Sequence, residues 1–118
     1  MAAKEFNCNK IKRTFWPFVM KDEVDEAGNV KKKGQRIVVR MPQKGVFEAI
    51  KVLQTEGAED ETIEDAETIY ALLAAVLNNN MNKVKITADD VSDYDIEECT
   101  AILNAYMEFV DALKTDPN

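Results

Sequence analysis

IKRTFWPFVM (residues 11–20) and QRIVVRM (residues 35–41) read as the two strands of one hairpin. The first run is rich in β-branched and aromatic residues, which suit a pleated surface. The second alternates, with Ile37, Val39 and Met41 on one face and Arg36, Val38 and Arg40 on the other. Between them lies DEVDEAGNVKKKG, which is polar and holds Gly28-Asn29 and Gly34. It is a hairpin connection longer than the tightest kind. Pro17 has no N–H to give to a ladder, so the first strand is expected at an edge, or bulged or broken there.

Beyond the hairpin the periodicity changes from two to 3.6. Pro42 opens a segment in which Val46, Phe47, Ile50 and Leu53 share one helix face, with Gly57 as its stop. A second helix is expected after Thr62, with Asp65 in the capping-box position. Its apolar face is Ala66, Ile69, Tyr70, Leu73, Val76 and Leu77. Asn78, Asn79 and Asn80 end it, because asparagine tolerates the left-handed conformation. Residues 84–86 are extended and are a candidate third strand. Thr87 with Asp90 caps a short turn. The last helix starts near Asp95, ends at Asp116-Pro117, and carries Cys99, Ile102, Leu103, Tyr106, Phe109, Val110 and Leu113 as a wide apolar stripe. The expected fold is α+β: an N-terminal antiparallel hairpin, with a candidate short third strand, packed with three main helices.

At 118 residues the chain is expected to be a single domain, long enough to bury a core without staples. Residues 1–45 hold eleven Lys/Arg and five Asp/Glu, a net of +6, and residues 46–118 hold four and seventeen, a net of −13. The hairpin region is therefore basic and the helical region acidic. That half of the chain argues against duplex nucleic acid, a polyanion. The asymmetry instead suits docking between copies or with an oppositely charged partner. Solubility alone is the plainer account of the charge. Cys8 and Cys99 make no disulfide framework and read as free thiols of a reducing compartment. Residues 1–10 lack the apolar run that secretion needs, and the longest apolar run, residues 69–77, is too short to span a bilayer. A cytoplasmic, soluble protein is expected.

The chain has no histidine. This removes the commonest general base and zinc ligand, and with two cysteines a structural zinc site is not expected. An EF-hand loop starting at Asp93 needs glycine where Glu98 stands and glutamate where Asn104 stands. The acidic run Asp89, Asp90, Asp93, Asp95, Glu97, Glu98 reads as helix N-terminal chemistry instead. No pair of carboxylates stands out as an acid–base pair. Lys31, Lys32 and Lys33 beside aromatics come with no nucleic-acid signature and no phosphate loop. No enzyme, metal, cofactor, nucleic acid or membrane is therefore expected. What remains is apolar surface. Consecutive aromatics in a strand point to both faces of a sheet, and the helices of so small a chain can leave one face uncovered. Phe15, Trp16, Phe18, Met41, Phe47, Tyr106, Met107 and Phe109 are the candidate protein-binding residues, the alternative being that the rings are simply core.

The layout also resembles a family. A hairpin is followed by an apolar helix at 46–53, an acidic loop, the helix IEDAETIYALLAAVLNNN, the turn KITADDV and a final acidic helix, so that 46–53, 63–77 and 85–113 run in parallel. This pattern is similar to the small tail assembly chaperones of long-tailed bacteriophages and their prophage relatives. The resemblance rests on apolar and acidic patterning, without a catalytic signature. It implies a non-catalytic role in virion morphogenesis: binding the tape measure protein, keeping it soluble, and recruiting tail tube subunits, in the host cytoplasm. The charge asymmetry would let copies line up along the client as a homo-oligomer. A generic cytoplasmic adaptor or inhibitor of another protein is the rival reading.

Overall fold

The computed structural model describes residues 5–11, 13–56 and 63–115. Four short strands precede three helices: β1 (Trp16–Val19), β2 (Glu23–Val24), β3 (Val30–Lys32), β4 (Arg36–Val39), α1 (Lys44–Glu56), α2 (Ile63–Asn78) and α3 (Ile96–Thr115). Short 3-10 turns lie at Cys8–Lys10 and Ala88–Val91. The class is α+β with an N-terminal antiparallel hairpin, as the periodicity predicts. The long connection proves to be structured: β1 pairs with β4, and β2 with β3 further out along the same ribbon.

The inner pair sets Trp16 opposite Val39 and Phe18 opposite Ile37. Ile37 and Val39 are fully buried, while Arg36 is exposed and Val38 half-buried. The alternation read from the sequence is thus the alternation of burial. Pro17 lies in β1, which is an edge strand, where a missing N–H breaks no ladder. Met20 N–H donates to the Gln35 carbonyl at 2.8 Å. With a two-residue repeat, Pro17 and Val19 then direct their backbone groups to the open edge.

The outer pair is built differently. The Asp25 carbonyl accepts from Gly28 N–H at 3.0 Å and Asp25 N–H donates to the Asn29 carbonyl at 2.8 Å. Gly28 sits at φ +87°, the left-handed residue that closes a three-residue hairpin loop. Asp25 Oδ1 also accepts from Ala27 and Asn29 N–H. No residue of β2 or β3 is buried. The described chain measures 68 × 35 × 22 Å with a radius of gyration of 17.0 Å, against about 13–14 Å for a compact chain of this length. The outer ribbon is an arm.

The core lies between β4 and the helices. α2 packs against α1, α3 and β4. Leu73, Leu77, Val76, Ile50, Leu103, Val110 and Val91 are all buried. Each such burial is worth about 1.5–3 kcal/mol over exposure. Leu72 and Ala74 are buried too, so α2 is covered over more of its circumference than one stripe provides.

Three local expectations need correction. Residues 84–86 are not a strand. Their backbone is held by asparagine side chains, with Asn80 Oδ1 accepting from Val84 N–H at 3.0 Å and Asn78 Oδ1 accepting from Ile86 N–H at 2.8 Å. The segment that does flank β4 is 79–82. Arg40 N–H donates to Asn79 O, Met81 N–H to Val38 O, and Val38 N–H to Asn82 Oδ1, at 2.8–2.9 Å. Nor do the asparagines adopt the left-handed conformation; among described non-glycine residues only Lys83 does, at φ 59°. Their amides serve as backbone substitutes. Finally, Pro42 precedes α1 by two residues, and Phe47 N–H donates to Gln43 O at 3.0 Å. Gly57, the Thr62–Asp65 cap and the Asp116-Pro117 stop lie outside the described residues and side chains.

Candidate protein-binding surface

β1 carries Trp16 and Phe18 on one face because they are two residues apart. Pro17, between them, points the other way, as the alternation of a strand requires. Both lie toward α3. Ring centroids are 5.5 Å apart for Trp16–Phe18, 5.1 Å for Trp16–Tyr106, and 6.4 Å for both Trp16–Phe109 and Tyr106–Phe109. These separations fall in the attractive range for offset and tilted rings. The Tyr106 phenol donates to the Arg40 carbonyl at 2.7 Å, fastening α3 to the end of β4. Burial pushes its ionisation well above the ordinary tyrosine value.

The eight sequence candidates therefore separate. Tyr106 and Met107 are 1% exposed and belong to the core. Tyr106 stands in the middle of the α3 stripe, and that position is the signal that could have assigned it; Met107 lies four residues after Leu103 and three before Val110, on the same buried side. Trp16, Phe18, Met41, Phe47 and Phe109 are half-buried and pack against the core from its rim. Phe15 is half-buried just ahead of β1. Trp16, Phe18, Tyr106 and Phe109 come together; Phe47 sits on α1 under the Lys51 ammonium, 5.7 Å from its ring centre. Met41 offers its carbonyl to Asn79 Nδ2 at 3.3 Å.

The apolar groups most open to solvent are others. Val19 is 61% exposed, Val24 55% and Val30 49%. Val19 shares the outer face of the inner ribbon with Pro17 and Val38. Val24 is directly opposite Val30 on the arm. Phe6, Val52 and Met81 are also exposed. The two arm valines flank DEAGN in the sequence, a turn signal between apolar residues. Reading the whole connection as a loop conceals them.

The acidic run proves to be capping chemistry with one addition. Asp90 accepts from Thr87 N–H at 2.8 Å, and this bond, with a second from the Thr87 hydroxyl, holds its carboxyl below the ordinary value. Asp95 and Glu98 form a reciprocal cap at the start of α3, at 2.7 and 2.9 Å. Glu98 also pairs with Lys21 at 2.9 Å, where the ribbon leaves the body. Lys21 N–H donates to the Tyr94 phenol at 2.8 Å, its ammonium lies 5.6 Å from that ring's centre, and Tyr70 donates its phenol to the Tyr94 carbonyl. This knot fixes the root of the arm to α2 and α3. Among the described residues no group of three or more Asp, Glu or Cys is placed to hold a metal ion. An open cleft of about 250 Å³ lies between the start of α1 and the end of α2, lined by Pro42, Gln43, Val46, Ala75, Val76, Asn78, Asn79 and Tyr106. Its one ionisable lining group, Tyr106, is the phenol already bonded to Arg40. Within the described residues no helix is long and apolar enough to cross a membrane.

No protein-family model, curated protein or solved structure matches this chain.

Proposed function

We propose that this chain is a non-catalytic, protein-binding chaperone of phage tail assembly, which shields the tape measure protein and recruits tail tube subunits. The observation that carries the reading is the outer ribbon. Val19, Val24 and Val30 stand open on an edge strand and an arm that no helix among the described residues covers. An exposed edge with apolar side chains is where an extended segment adds or an apolar helix face rests. The half-buried rim of Trp16, Phe18 and Phe109 is a second apolar patch, on the opposite face of β1 toward α3. The net charge of −7 favours solubility of a loaded complex.

The client chemistry this surface suits is a long chain with a repeating apolar stripe, which aggregates unless covered. Co-expression with a tape measure protein from the same genome tests the reading. The client's soluble fraction should rise several-fold with the wild-type chain, and the gain should be lost with Val19→Lys or Val24→Lys. A client equally insoluble with and without the chain overturns the proposal. A gene neighbourhood without tube and tape measure proteins would favour a general adaptor instead.

A further inference from the structure

We infer that the arm is a self-association element, and that its occupant is the arm of a second copy of this chain. The inference shares the arm valines Val24 and Val30 with the client reading above, but it concerns the chain alone and is tested without a client, so either can fail without the other.

Both arm strands are exposed at every residue, and each presents an unpaired edge. Charge divides between them. β2 and the turn it enters carry Glu23 and Glu26; β3 carries Lys31 and Lys32. Glu23 and Lys32 are direct cross-strand neighbours. Yet among the described residues none of these four side chains makes an ion pair, although ion pairs form elsewhere in the chain. One strand is thus a free acidic row and the other a free basic row. Val24 and Val30, opposite one another, add a small apolar face that nothing among the described residues covers.

A second arm satisfies all three features at once. Set with its β2 beside the first arm's β3, it places acid against base and brings the valines of both arms together. Turned end for end, it would set β2 on β2 and β3 on β3, like charge on like. The charges therefore select one arrangement. The surface is small, so the contact is weak and transient in a single pair. Charge attraction between exposed groups makes it sensitive to salt, since the screening length falls from about 10 Å at 0.1 M to about 3 Å at 1 M.

Sedimentation velocity of the purified full chain, from micromolar to millimolar concentration, tests this. The wild type should self-associate at low salt, with at least a tenfold loss of association in 1 M salt. Two variants invert one row each: Glu23→Lys with Glu26→Lys, and Lys31→Glu with Lys32→Glu. Neither row reaches the core, so both should keep the wild-type circular dichroism and unfolding midpoint. Each alone should be monomeric, and an equimolar mixture should recover association, because a basic arm then meets an acidic one. A wild type monomeric throughout, a variant that associates alone as well as the wild type, or a mixture that stays monomeric would each overturn the inference.

Discussion

Asn80 treats Val84 as one strand residue treats another: its Oδ1 accepts the Val84 N–H at 3.0 Å and its Nδ2 donates to the Val84 carbonyl at 2.8 Å. The same amide donates to the Leu77 carbonyl at 2.8 Å and accepts from Asn82 N–H at 3.1 Å. Asn80 is buried, its bond to Leu77 is buried with it, and the other three are part-buried. Its main chain bridges to Val39, which joins the end of α2 to β4.

Asn80→Ala strands one buried and several part-buried backbone groups at once and should cost about 2–4 kcal/mol of stability. Asn80→Asp keeps the acceptor, loses the donors and buries a charge, so it should be no better. Urea unfolding of both variants checks this. A midpoint shift below what about 0.5 kcal/mol produces would show that the amide is dispensable.

Gly34 lies where the ribbon turns back past Met20. A Cβ built there would stand 1.6 Å from the Met20 carbonyl oxygen, a backbone atom that cannot swing aside. Gly34 N–H also donates to Asp22 Oδ1 at 2.6 Å. Gly34→Ala should therefore destabilise the fold by about 2 kcal/mol or more, through steric overlap. Gly45, with open space around its Cβ position, is the control: Gly45→Ala in α1 should be neutral or stabilising by up to about 1 kcal/mol. Equal unfolding midpoints for the two alanine variants would refute the crossing.

Trp16 is the only tryptophan, so fluorescence excited beyond the tyrosine absorption band reports on the aromatic rim alone. Its emission should shift to the red on unfolding, in step with the loss of helix signal from α2 and α3. Trp16→Ala removes contacts with three rings and should cost about 2–3 kcal/mol, less than a fully buried tryptophan. Emission that changes well before the helices melt would detach the ribbon from the core.

Stability should fall on both sides of neutrality. Asp95 N–H and then Lys21 hold the Glu98 carboxyl below its ordinary 4.5, and Thr87 N–H holds Asp90 below 3.8. A depressed carboxyl binds fewer protons folded than unfolded, so its contribution is present above the ordinary value and lost as pH falls through the folded one. Lys21 is raised above 10.5, chiefly by its bond to Glu98, and that contribution is present below 10.5 and lost as pH rises through the folded value. Burial raises Cys99 above 9.0 and Tyr94 above 10.0, so the unfolded chain ionises first and alkali lowers stability from about pH 9 upward. Urea midpoints across pH should show a neutral plateau. Glu98→Gln should lower that plateau and flatten the acid limb; an unchanged acid limb would remove Glu98 from the account.

Much of the fold was legible because burial and periodicity coincide. Ile37 and Val39 alternate in sequence and in burial, and Ile69, Leu73, Val76 and Leu77 recur at helix spacing and line the core. Asp90 and Asp95 stand where caps were expected. The binding surface was less legible. Tyr106 and Phe109 belong to the same α3 stripe, yet one is buried and the other half-exposed. That difference depends on where β1 crosses α3, which one helix cannot specify. The arm escaped notice because two- and three-residue strands carry no periodicity to detect.

Composition and local pattern by themselves determined the class, the hairpin, the three helices, the capping residues and the absence of histidine chemistry. These follow from nearest neighbours along the chain, where side-chain repeat and capping geometry act within one or two turns. The tertiary structure decided which apolar groups face water, how the asparagines at 78–82 stand in for a strand, and that the ribbon reaches past the body as an arm. Those depend on contacts between residues forty to seventy apart, such as Tyr106 with Arg40 and Val38 with Asn82, and such contacts exist only once the elements have packed.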